Sequence, residues 1–150
     1  MLFKLDEIDR KILEQLQDNA RIAYRKIAEE LKVSESTVFV RVKKLQEAGV
    51  IKRFTATISP ALVGKGLTAF ILIKVNPRSY PVVLETLKRI RDVYEIYDVT
   101  GNYYTIVKVR TANQLDLAKI IDEIGLIGGV TSTETAIVLK HIKEESRIDL

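Results

Sequence analysis

Residues 24–49 read YRKIAEELKVSESTVFVRVKKLQEAG, and this run carries two helical periods with a single break between them. Ile27, Ala28 and Leu31 recur at helical spacing and predict a helix over Tyr24–Leu31 with one apolar side. After Lys32 and Val33, Ser34 stands where a hydroxyl can accept a bond from the first turn of a following helix, which should run to about Ala48. Two helices separated by three or four residues have the spacing of a helix-turn-helix. Ala28 supplies the small side chain that lets the pair cross closely, and Gly49 ends the later helix by tolerating a left-handed conformation. Lys32 occupies the tight turn, where a positive φ is expected and glycine would be the low-cost residue.

The later helix has two different sides. On a wheel of 100° per residue, Val38, Val42 and Leu45 fall within about 60° of one another and must face the core. Opposite them lie Ser36, Val40, Lys43, Lys44 and Glu47, with Thr37 and Arg41 on one flank and Phe39 on the other. Short hydroxyl side chains with a reaching arginine suit base edges, and lysines suit phosphate. The candidate DNA contacts are therefore Ser34, Ser36, Thr37, Val40, Arg41, Lys43 and Lys44, followed by Lys52 and Arg53. Between residues 39 and 54 only Glu47 opposes five cations. A solvated face explains such a charge run by itself, but it does not explain why small polar residues come first and basic ones later.

Working outward, Asp6 and Asp9 have capping-box-like spacing at the start of a first helix whose stripe is Ile8, Ile12, Leu13 and Leu16, and Asn19, Ala20 and Arg21 break it. Beyond Ile51 the period becomes extended over residues 52–58, predicting a strand that leaves a winged-type helix-turn-helix, and Ser59-Pro60 punctuates it. The expected domains are 1–59, a linker at 60–66, and 67–150.

The second domain repeats strand, helix, strand. Strands are predicted over Leu67–Val75, 93–100, 103–110 and 130–142. Helices should begin at Ser79-Tyr80-Pro81, carrying Val83, Leu84, Leu87 and Ile90, and cover 113–124, with a hairpin turn at Gly101-Asn102. This β-α-β-β-α-β order is the ferredoxin-like unit, so the fold class is α+β. Two helices cover one sheet face, yet the first strand is apolar on both, with Ala69, Ile71 and Ile73 on one side and Phe70 and Leu72 on the other. The uncovered face is expected to meet a second subunit. The same strand order occurs in RNA-recognition motifs, and Gly101-Asn102-Tyr103-Tyr104 faintly resembles their aromatic signature, so a single-stranded RNA partner is one alternative. A regulatory module of amino-acid metabolism is another.

Composition narrows the rest. With no cysteine there is no disulfide framework, thiolate nucleophile or Cys-based zinc site. No run approaches 18 apolar residues, and the acids at Asp6, Glu7 and Asp9 fall where a signal peptide needs an apolar core, so a cytoplasmic protein away from the membrane is expected. His141 is the single histidine and lies in the last expected strand beside Lys140 and Lys143; Gly64-Lys65-Gly66 lacks the spacing of a phosphate loop. Neither an enzyme activity nor a cofactor is called for.

The segments 5–13, Ser36-Thr37-Val38, Arg41-Val42-Lys43-Lys44-Leu45 and Gly49-Val50-Ile51 resemble the opening domain of the Lrp/AsnC, or feast/famine, transcription regulators. Thr100-Gly101-Asn102-Tyr103 resembles that family's turn between its central strands, and Gly129-Val130 with Thr133 and Thr135 resembles its last strand. The resemblance implies double-stranded DNA as partner, homodimers assembling to octamers, and a small amino-acid effector held between dimers near the turn. Its effector residues would be Gly101, Asn102, Tyr103, Tyr104, Thr133 and Thr135. Asp122, on the second expected helix of this domain, is a separate candidate for facing a cationic ligand side chain such as that of lysine. Members of the family often carry an acid where this chain has Tyr104.

Overall fold

The computed structural model describes residues 3–150. The chain falls into two compact units, Met1–Thr57 together with Lys143–Leu150, and Ile58–Ile142. The division precedes the expected linker at 60–66, and the last residues belong with the first unit. They are tied there by the side-chain amide of Gln17, which donates to the carbonyl of Ile148 at 3.0 Å and accepts its N–H at 2.8 Å. Arg147 also pairs with Asp18.

The first unit contains three helices, α1 (Glu7–Asp18), α2 (Tyr24–Leu31) and α3 (Glu35–Glu47). Each begins where the sequence supplies a start or resumes after a break. Asp6 accepts the N–H of Asp9, and Asp9 accepts the N–H of Asp6, closing the predicted capping box on α1. Ser34 accepts the N–H of Thr37 at 3.1 Å and caps α3. Ile12, Leu16, Ile27, Ala28, Val38 and Val42 form the core beneath them. Lys32 closes α2 at φ 54°, ψ 42°, the left-handed turn expected there. Residues 52–58 form no strand among the described residues and are exposed. An extended segment becomes a strand only when its main-chain groups find a neighbour to pair with, and apolar alternation alone does not provide one.

The second unit is a four-stranded antiparallel sheet in the order β2-β3-β1-β4, with β1 at Leu67–Val75, β2 at Val93–Asp98, β3 at Thr105–Thr111 and β4 at Val130–Ile137. The helices α4 (Tyr80–Leu87) and α5 (Gln114–Gly125) complete the ferredoxin-like α+β order. Their residues Val83, Leu87, Leu117 and Ile124 pack on Ala69, Ile71, Ile73, Val107 and Val109 of the sheet.

Several element ends differ from the sequence pattern. Helix α4 stops at Leu87, and Ile90 follows in a turn, still buried. Strand β4 stops at Ile137 instead of reaching 142: Ala69, two residues inside the start of β1, is the partner of Ile137, and the carbonyl of Thr68 takes the N–H of Val138 as the last bond. The expected two-residue hairpin is a longer loop, since Asp98 pairs with Thr105 and residues 99–104 lie between the strands.

Candidate nucleic-acid interface

Helix α3 buries Val38, Val42 and Leu45 and turns Ser36, Val40, Lys43, Lys44 and Glu47 to solvent, as the wheel requires. At its start the hydroxyl of Ser34 lies 2.8 Å from that of Ser36 and 2.7 Å from that of Thr37, so three hydroxyls cluster at the N-terminal end. Asp6, Ser36, Thr37, Val40, Arg41 and Lys44 line an open groove of about 430 Å³ along this face. Val40 is 62% exposed within it, an apolar side chain on a polar surface. The ammonium of Lys44 stands 5.5 Å from the ring centre of Phe3, and Lys43 lies 3.8 Å from Glu47. Lys52 and Arg53 are exposed on the unpaired segment after the helices.

Arg41 is not the free, reaching side chain that its position on the wheel suggests. Its Nη1 donates to Asp6 Oδ2 at 2.5 Å and to Asp9 Oδ1 at 2.8 Å, bridging α3 to the start of α1. Asp9 is buried, and the guanidinium side chain is 27% exposed. The hydrogen bond from the Asp9 N–H, then the Arg41 guanidinium, holds the Asp6 carboxyl below its ordinary range. Asp6 and then Asp9 in turn raise the pKa of Arg41.

In the second unit Gly101 has φ +111°, a conformation that favours glycine. The loop it belongs to is fixed at Tyr104, whose N–H donates to the Ile73 carbonyl and whose carbonyl accepts from Val99, both at 3.1 Å. The Tyr104 ring rests against Tyr80, 5.8 Å between centres. Tyr103 lies on the helix-free side: its hydroxyl donates to Glu134, and Lys74 stands over its ring. Thr133 and Thr135 register with Ile73 and Ile71, which face the helices. Asn102 is exposed in the loop, and Asp122 is exposed on α5. The seven residues expected around an effector are thus divided between the two sides of the sheet.

Residues 5–52 match the family model for winged helix-turn-helix DNA-binding domains, and residues 68–148 match the Lrp/AsnC ligand binding domain. The chain belongs to the Lrp/AsnC family. The HTH-type transcriptional regulator FL11 of Pyrococcus abyssi is 42% identical over 150 residues, covering 100% of this chain and 99% of that protein. The solved structure of E. coli AsnC is similar with a TM-score of 0.92 at 35% identity, covering 97% of this chain and 99% of that one. A transcriptional regulator from Neisseria meningitidis, solved as a complex with L-Met, gives a TM-score of 0.90 at 26% identity over 97% and 96% of the two chains. This Lrp/AsnC protein is accordingly a DNA-binding transcription regulator whose second domain binds a modulating ligand. No helix among the described residues is long and apolar enough to cross a membrane.

Sequence reasoning assigned Asp6 and Asp9 to capping alone and missed their bond to Arg41. The signal lay in the chemistry of the cap: each carboxylate gives one oxygen to a main-chain N–H and keeps a second. Which cation takes it is decided by packing between α1 and α3, not by spacing along the chain.

Proposed function

We propose that this Lrp/AsnC regulator binds pseudo-palindromic operators in duplex DNA as a homodimer or a higher assembly such as an octamer, in the cytoplasm, under control of a small amino acid. The groove along α3 carries the reading, because it joins hydroxyls at a helix start to a cation further along the same face. Ser34, Ser36, Thr37, Val40, Arg41, Lys43 and Lys44 are the contacts assigned to α3, with Lys52 and Arg53 following on the adjoining segment. For assembly, the supporting feature is the helix-free sheet face, where Phe70 and Leu72 are only partly buried. A twofold dimer presents two recognition helices to two half-sites. The amino-acid reading is supported by the ligand-binding family match and by the L-Met complex of the Neisseria relative. Gly101, Asn102, Tyr103 and Tyr104 would hold the ligand, and Thr133, Thr135 and Asp122 would complete the site only where a neighbouring subunit brings them together. No catalysis and no other cofactor is assigned. An RNA-binding sheet is disfavoured because Glu95 and Glu134 stand among the tyrosines of the open face, where a phosphate backbone would have to lie.

Selection from a random duplex library followed by titration of the enriched site tests the interface. Lys44→Ala should weaken enriched and random duplexes alike and reduce the slope of log affinity against log salt by about one. An unchanged slope would remove Lys44 from the contact set. Thermal-shift screening against the twenty amino acids should find a selective stabiliser, and no response would remove the effector assignment.

A further inference from the structure

A guanidinium carries five N–H groups, and in this protein one nitrogen meets both carboxylates. Nη1 of Arg41 has two hydrogens, and Asp6 and Asp9 each accept one. The opposite edge, formed by Nε and Nη2, is the fork whose geometry matches the O6 and N7 acceptors of guanine. Arg41 also lines the groove on the outer face of α3. A long side chain normally loses rotamer freedom when it is fixed by a base. This one is already held, at its far end, by a buried acid and by a helix cap.

The charge balance of the cluster says what the held arginine is suited to meet. Two carboxylates against one guanidinium leave a net charge of −1, and Asp6, 52% exposed at its side chain, lies in the groove itself. A phosphate placed beside Asp6 and Arg41 would be repelled, whereas a base edge carries no net charge and is repelled far less. Lys44, in the same groove, has no carboxylate partner of this kind among the described residues and suits the phosphate role.

We propose that Asp6 and Asp9 are positioning residues for sequence reading, orienting Arg41 toward a guanine while Asp6 repels the sequence-independent phosphate contact that a free arginine would make. This inference rests on α3 being the DNA-contacting face. It makes Asp6 a specificity determinant in addition to its structural parts, the cap on α1 and the bridge to α3.

The test compares the unsubstituted protein with Asp6→Asn and Arg41→Lys, each as the full chain, on the enriched duplex and on random-sequence duplex across a salt series. Asparagine keeps the N-cap while deleting the charge, so the variant retains its fold. Asp6→Asn should bind random duplex more tightly, with a salt slope steeper by up to about one, and lose about tenfold in the ratio of enriched to random affinity. Arg41→Lys, which keeps the charge but has no fork, should bind duplex and lose the same discrimination. A merely structural role would lower affinity for both duplexes in parallel with melting temperature. That result, or an unchanged ratio in both variants, overturns the positioning role while leaving the interface in place. Failure of the unsubstituted protein to enrich any sequence overturns the interface and the positioning role together.

Discussion

The two units bury different polar groups. Among the described residues, the buried polar residue of the helix-turn-helix unit is Asp9, closed on Arg41; in the sheet unit they are the threonines Thr68, Thr105 and Thr111. The helical unit has a small core built from three short helices, and a charged bridge joins α1 to the recognition helix where little apolar area is available. The sheet unit has main-chain ladders and a larger apolar interior, and the hydroxyls of Thr105 and Thr111 make neutral bonds, to the Tyr80 hydroxyl at 3.4 Å and the Asn113 carbonyl at 3.0 Å. Charge therefore fixes the first unit, and close steric approach limits the second.

The sharpest way to break this contrast is at Gly129, between α5 and β4. Its φ is +106°, and a Cβ there would lie 2.2 Å from Cβ of Ser79, just ahead of α4. Its carbonyl also accepts the N–H of Asn76 at 2.8 Å. Gly129→Ala is expected to cost about 3 kcal/mol in denaturant unfolding, the sum of a disfavoured backbone and an overlap that α4 must move to relieve. Adding Ser79→Gly should return only part, because the backbone strain remains. A loss below about 0.5 kcal/mol in the single variant would mean that steric approach does not limit this unit.

A smaller effect belongs to the charged unit. The folded-state pKa of Asp6 lies below its ordinary 3.8, chiefly through the Asp9 N–H and then through Arg41. A carboxylate lowered in this way contributes stability that is fully present above its unfolded pKa and is lost as pH falls through the folded value. The urea midpoint should stay level from about pH 7 to 5 and decline below about pH 4. Asp6→Asn should make that decline shallower without abolishing it, because Glu85, lowered by Lys88, and Glu95, lowered first by the Tyr97 hydroxyl, titrate in the sheet unit. Identical pH curves for the two proteins would show that the bridge does not couple to folding.

The same contrast explains how far the sequence could be read. The cap at Asp6, the turn at Lys32, the cap at Ser34 and the stripe Val38, Val42, Leu45 each lie within one helix or turn, so local spacing is enough to place them. Strand ends in the sheet unit depend on partners elsewhere in the chain: β4 ends where its pairing with β1 stops, at Ala69, and β3 starts at Thr105 because that residue pairs with Asp98. The candidate effector residues share this difficulty. The resemblance groups Tyr103 with Thr133, yet Tyr103, in the loop, meets Glu134 and Lys74 on the helix-free side, while Thr133 registers with Ile73 on the other. Arg41 was placed correctly on its helix, but its partners lie 32 and 35 residues away, beyond what a wheel can show.

The smallest expected effect is at Lys32, the one non-glycine residue with positive φ among those described. An L-residue pays about 1 kcal/mol to adopt the left-handed region, and glycine avoids that strain. Glycine also gives the unfolded chain more freedom, which takes back about 0.5–1 kcal/mol. The two terms nearly cancel, and the Lys32 side chain is exposed, so Lys32→Gly should leave the urea midpoint unchanged or raise stability by at most about 1 kcal/mol. Gly129 and Lys32 share the sign of φ but respond oppositely, because Ser79 occupies the space beside one and solvent the space beside the other. A clear loss of stability in Lys32→Gly would mean that the lysine side chain helps to hold the turn between α2 and α3, and that backbone conformation alone does not set the angle of the recognition helix.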